Sequence, residues 1–110
     1  VDLAAVRESR RLLDFQARCR GVDEVNRKAL ARLFQSGLLY TRAGARLGRD
    51  LLLAHQHLLR VGDLLARIGD LDGAPGAQAE AEPLYAEAQS LLARTAELTA
   101  RSGLVLARGR

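Results

Sequence analysis

Residues 37–50 read Gly37-Leu38-Leu39-Tyr40-Thr41-Arg42-Ala43-Gly44-Ala45-Arg46-Leu47-Gly48-Arg49-Asp50, and the fold turns on whether a helix passes through them. To either side, a seam holds a 3/4 spacing: Asn26, Leu30, Leu33, Gly37, Tyr40, Gly44, Leu47, Leu51, Ala54, Leu58, Val61, Leu65 and Ile68. That is the helical period. An unslipped seam favours one continuous helix over 23–69, ~70 Å long at 1.5 Å per residue. The glycines point the other way. Gly37, Gly44 and Gly48 accompany a stretch poor in large apolar residues, and each costs about 0.5–1 kcal/mol inside a helix. Asp50 would suit the N-cap of a fresh helix at Leu51. A break near 44–50 makes an up-down bundle of four similar helices; continuity makes a rod. Glycines on a seam can instead admit a second backbone at close range.

Upstream, a first helix is expected over 3–20, with Asp2 as N-cap and Gly21 closing it. Its stripe is Ala5, Leu12, Phe15, Cys19 and Val22, which Val6 and Leu13 would widen. Asp23 would cap the second helix. Downstream, Gly69-Asp70-Leu71-Asp72-Gly73-Ala74-Pro75-Gly76 is a loop, dense in turn residues. A last helix is expected over 83–108, since proline suits a first turn, with 77–82 as a weaker preceding turn. Within it Leu84, Leu91, Leu98 and Val105 recur every seven residues, alternating with Ala88, Thr95 and Ser102; Gly109 would fray the end. Five acid-to-base pairs at i, i+4 support helices: Asp14–Arg18, Asp23–Arg27, Glu24–Lys28, Asp63–Arg67 and Glu97–Arg101.

Composition agrees. Leu, Ala, Arg, Glu and Lys supply 64 of the 110 residues, while the β-branched and aromatic residues that build strands are scarce. The expected fold is an all-α antiparallel bundle of three or four helices in a single domain over 1–110. A chain that starts at Val1 is equally compatible with a piece of a longer protein. No apolar run approaches the ~18 residues of a transmembrane span. The lone Cys19 allows no internal disulfide, which suits a reducing, cytoplasmic setting.

Catalytic apparatus is not visible in the sequence, and no cofactor is expected. His55 and His57, two apart, lie on different helix faces, so no metal signature forms. Cys19 sits on an apolar stripe, where a small buried hydrophobe is the ordinary reading; Arg18 and Arg20 would depress its pKa only if it were exposed. No phosphate-cradling glycine loop is present. The segment His57-Leu58-Leu59-Arg60-Val61-Gly62 resembles the His-x-x-Lys-Gly pattern of histidine phosphotransfer domains over six residues. Arg60 stands at the lysine position and Val61 at the glycine position. The resemblance implies phosphate transfer through His57, although a side chain at 61 would crowd the docking partner.

Charge gives the remaining clue. Residues 1–49 hold eleven bases and five acids, and residues 50–110 hold six bases and eight acids. Two arginine stripes stand out, Arg42, Arg46 and Arg49, and Arg7, Arg11 and Arg18. Such stripes suit an acidic protein surface, an anionic membrane or nucleic acid phosphates. A single lysine and the lack of interleaved aromatics count against nucleic acid. Leucines off the main seams, among them Leu38, Leu52 and Leu59, either widen the core stripe or form a second face for a partner. The expected role is therefore a non-enzymatic interaction module, an adaptor or scaffold that binds a protein partner or itself as a homo-oligomer. In that role the arginine stripes would govern orientation and on-rate.

Overall fold

The computed structural model describes residues 3–108, so the positions assigned to Asp2 and Gly109 lie outside it. Three long helices make up nearly all of it: α1 (Leu3–Ser36), α2 (Arg42–Asp70) and α3 (Ala77–Arg108). Short connections make α1/α2 and α2/α3 antiparallel. Arg11 on α1 meets Glu82 on α3, both near their helix starts, so these two run parallel. The bundle measures 55 × 19 × 16 Å. Its radius of gyration is 17.0 Å, against about 13 Å for a compact chain of this length. The molecule is a three-helix rod. The α2–α3 contact is the most extensive and α1–α3 the least.

The first expected boundary, at Gly21, is absent: α1 continues through it. Phe15, Cys19, Val22, Asn26, Ala29 and Leu33 keep one phase across residue 21, so a single buried stripe holds the whole helix. Gly21 faces solvent with nothing near the position of a side chain. Its helix penalty is small beside the ~1.5–3 kcal/mol for each large apolar side chain buried. Asp23, freed from capping, takes Arg27 at 2.8 Å, and Glu24 takes Lys28 at 3.2 Å. Asp14 does not hold Arg18, whose guanidinium lies instead 5.1 Å from the Phe15 ring centre.

The chain does break in the deciding stretch, but at 37–41 rather than 44–50. Gly37 has φ 74°, a left-handed position where other residues are strained. One 3-10 turn follows, Leu38–Tyr40. Thr41 then caps α2, its hydroxyl accepting from the Gly44 N–H at 2.9 Å and donating to the Leu38 carbonyl at 2.6 Å. Asp50 caps nothing, since it lies inside α2. Gly44 is a packing feature: a Cβ there would run into the Leu38 carbonyl and leave only 3.0 Å to the Leu39 nitrogen. The second loop lies within the expected 69–76 but is shorter, over 71–76, because Gly69 and Asp70 still belong to α2. α3 starts at Ala77 and keeps Pro83 inside it, six residues earlier than expected, because Ala81 and Tyr85 are already needed in the core.

Two apolar clusters fill the rod. The larger, toward the 71–76 loop, joins Phe15 to Leu58, Val61, Leu64, Leu65, Ile68, Ala81, Tyr85, Ala88 and Leu92. The smaller, toward the 37–41 turn, joins Ala29, Leu33, Leu47, Leu51 and Leu106. Nearby lie the fully buried Asn26 and the buried Thr95, Thr99 and Ser102. Asn26 donates through Nδ2 to the Leu51 carbonyl at 3.3 Å and accepts from the Thr99 hydroxyl at 3.2 Å. One side chain thus ties all three helices. In α3 the buried line is Ala81, Tyr85, Ala88, Leu92, Thr95, Thr99, Ser102 and Leu106; Leu84, Leu91 and Leu98 flank it half-buried.

Two stability outcomes follow from this packing. Gly44→Ala is expected to cost about 1–3 kcal/mol, since the turn backbone must move, whereas Gly21→Ala gains about 0.5–1 kcal/mol. Thermal denaturation followed by circular dichroism should therefore move in opposite directions, and equal shifts would contradict the placement of either glycine. Asn26→Ala should cost about 1–3 kcal/mol by orphaning the Thr99 hydroxyl. In a urea double-mutant cycle, Asn26→Ala and Thr99→Val should couple by about 0.5–3 kcal/mol; simple additivity would mean the tie is not made.

Candidate interaction surfaces

Burial divides the off-seam leucines. Leu64, Leu92 and Leu106 complete the core, Leu38 and Leu39 pack half-buried at the turn, and Leu52, Leu53, Leu59 and Leu104 face water. Leu52 is 56% exposed and Leu59 59% exposed, seven residues apart on the outer side of α2. Ala45 and Ala66 extend the same heptad line at both ends and are also exposed. Four apolar positions over three heptads thus form a straight seam with nothing packed on it. A second outward line runs along α1 through Leu3, Val6, Leu13 and Ala17. Val6 and Leu13 were expected to widen the core stripe; at 100° per residue they point away from Phe15 and Leu33.

The two arginine stripes differ in kind. Arg42, Arg46 and Arg49 are exposed on α2, one helical turn apart, and make no ion pair or side-chain hydrogen bond among the described residues. Arg7 is likewise exposed. Arg11 and Arg18 are occupied within the molecule. Arg11 donates to Glu82 at 2.6 Å and lies over the Tyr85 ring, 3.9 Å from its centre. Its hydrogen bond to Glu82 holds its pKa above the usual guanidinium value. Tyr85 in turn meets Phe15 with ring centres 5.1 Å apart. Burial, then the neighbouring Glu8 carboxylate, pushes the Tyr85 hydroxyl above its usual pKa.

His57 is half-buried, and Arg60 of the same segment is engaged by Glu87 at 3.2 Å across the α2–α3 groove. His55 is half-buried as well. Among the described residues no group of three potential ligands could hold a metal ion. No helix there is long and apolar enough to cross a membrane. Cys19 is half-buried against the larger cluster. Burial raises its thiol pKa first and Asp23 adds to that, while Arg20 opposes weakly; the expected pull from Arg18 does not act.

The turn tip departs from the pattern of the seam. Tyr40, assigned to the seam, is 92% exposed at the end of the rod. The signal available for it was the Thr41-x-x-Gly44 cap directly behind. Charge is also sorted along the rod axis. Residues 25–49, which build the turn end, contain six bases and no acid. Residues 68–93, which build the loop end together with the start of α1, contain five acids and no base, while residues 3–14 of α1 add Arg7, Arg10 and Arg11 against Glu8 and Asp14 and leave that end net acidic. At that loop end α1, the 71–76 loop and the start of α3 enclose an open groove of about 600 Å³. Its floor is apolar, including Leu12, Ile68, Leu71 and Ala81, and among the described residues its charged lining is Glu8 and Asp72. A second groove of about 410 Å³ lies between α1 and α3, lined mainly by small and aliphatic residues such as Gly21, Val25, Ala93 and Ala96.

A search against protein-family models, curated proteins and solved structures finds no match to this chain.

The thiol yields a chemical test. At pH 8 Cys19 should be alkylated more slowly in the native protein than in the chain unfolded in guanidinium. Its raised pKa means the native state holds the proton longer. The stabilisation this brings is fully present below the unfolded thiol value, ~8.5, and is lost as pH rises from there through the higher native one. Native and unfolded rates with the same pH profile would contradict the burial.

Proposed function

We propose that this chain is a helical protein–protein interaction module, a scaffold or adaptor rather than an enzyme. The observation that carries the reading is the outward seam Ala45-Leu52-Leu59-Ala66 on α2. Leucines at heptad spacing on a water-facing helix side offer the half-interface of a helix–helix contact, which a partner helix completes by filling the spaces between them. The exposed Arg42, Arg46 and Arg49 lie on a neighbouring side of the same helix. Unpaired guanidinium groups there favour a partner with carboxylates beside its apolar strip, and they speed and orient the encounter more than they add affinity. The apolar line of α1 provides a further, separate contact strip.

The test compares the wild type with Leu52→Ser/Leu59→Ser. Both positions are exposed, so the melting temperature should stay within a few degrees of the wild type. The native mass in extracts of the producing cell should fall from a larger complex toward that of the isolated chain. A wild type that already runs at its own mass, or a complex indifferent to both substitutions, would refute the module.

A further inference from the structure

The two ends of the rod are complementary to each other, yet they stand at opposite ends of a 55 Å molecule. At one end, Tyr40 projects 92% exposed from a rigid turn. That turn is held by the Thr41 cap and the Gly44 contact, so the tip is a preorganised knob. Bases flank it along the chain, with Arg32 toward the end of α1 and Arg42 and Arg46 on the first turns of α2. At the other end lies the groove of about 600 Å³, with its apolar floor and its rim of Glu8 and Asp72. Asp70 and Glu80 stand beside it and make no ion pair among the described residues.

We propose that the groove receives the turn tip of a second copy of this chain, so that the rods associate head to tail. This rests on the interaction-module reading above and names one of its partners. The phenol ring of Tyr40 supplies a large contact with few rotatable bonds, and its hydroxyl remains at the polar mouth. Arg42 and Arg46 of the incoming tip meet the carboxylates of Glu8 and Asp72. Two knobs would place bases against bases, and two grooves acids against acids, so the charge pattern opposes symmetric end-to-end pairing. The contact is heterologous: each added copy presents a fresh groove or a fresh knob, and growth does not close at a dimer. A nucleic acid or an anionic membrane would satisfy only the basic end. The acidic groove has no role with either, which is why a second copy is the better occupant.

The test uses sedimentation of the purified full chain across concentration and salt. The wild type should associate reversibly beyond a dimer, and raising salt should weaken association. Tyr40→Ser removes the knob and Glu8→Arg/Asp72→Arg reverses the rim. All three positions lie at the surface or its edge, and circular dichroism should confirm that both variants fold. Each variant alone should associate at least about tenfold more weakly than the wild type, the scale of a lost aromatic or charged anchor. Mixed, the two variants should form one-to-one pairs that do not grow, since the pair retains one intact knob and one intact groove. A wild type that stays monomeric, a Tyr40→Ser variant that associates normally, or a mixture that fails to pair would each overturn the head-to-tail contact. If it fails while the Leu52- and Leu59-dependent complex persists in extracts, the module reading stands without this partner; if both fail, both are refuted.

Discussion

Asn26 is, among the described residues, the polar side chain on which the three helices agree. It sits at a heptad core position of α1, fully buried, and joins the α2 backbone at Leu51 to the α3 hydroxyl of Thr99. A buried amide without partners costs roughly 1–3 kcal/mol by protein mutational data, so sliding any helix past the others would leave it unsatisfied. Leu and Ala seams alone discriminate poorly between registers, because one apolar layer resembles the next. A single polar residue at such a position specifies register at some cost in stability. The apolar clusters on either side of the tie inherit that register. Phe15 reaches Tyr85 in one, and Leu33 reaches Leu47 and Leu51 in the other.

The 37–41 turn enforces the same register by different means. Ser36 donates to the Leu33 carbonyl, Gly37 reverses the chain, and Thr41 restarts the helix. Gly44 lets the turn backbone lie directly against the first turn of α2, which fixes how closely α1 and α2 approach. Asn26 then checks that spacing further along the bundle. Local turn chemistry and a long-range hydrogen bond specify one arrangement, the kind of agreement between levels that marks a well-determined fold.

This arrangement shows which parts of the fold could be read in advance. Every seam residue from Gly44 to Ile68 is buried, because α2 packs against both other helices and most extensively against α3. The 37–41 reversal escaped because it preserves phase: Leu33, Gly37, Tyr40, Gly44 and Leu47 keep 3/4 spacing straight through it. Periodicity cannot see a turn that skips no beat. Gly21 and Gly37 are alike in propensity, yet only Gly37 ends a helix, since the stripe on both sides of Gly21 shares one buried face. For the surfaces, the outward position of Leu52 and Leu59 was legible as an alternative. The occupation of Arg11 was not, because its partner Glu82 lies 71 residues away in sequence. The axial sorting of charge likewise appears only once the hairpin brings 25–49 to one end and 68–93 to the other.

The exposed leucines follow from the shape. In a rod 19 × 16 Å across, each of three helices buries one stripe and leaves the rest of its circumference in water. A chain with 48% hydrophobic residues has more apolar side chains than three such stripes can cover. A fourth helix or a shorter, thicker bundle would absorb more of them, but the unbroken α1 and the Asn26 tie hold this chain to three long helices. Part of the surplus is ordered, although Val25, Phe34, Leu53, Leu104 and Val105 are exposed outside the outward lines of α1 and α2. On α2 that part falls into a heptad line, and at the rod tip it is the exposed Tyr40, followed in the chain by Arg42 and Arg46. Random excess would have no period and no charge frame. That order on the surface is the physical ground on which we propose association, rather than chemistry at a single residue, as the use of this fold.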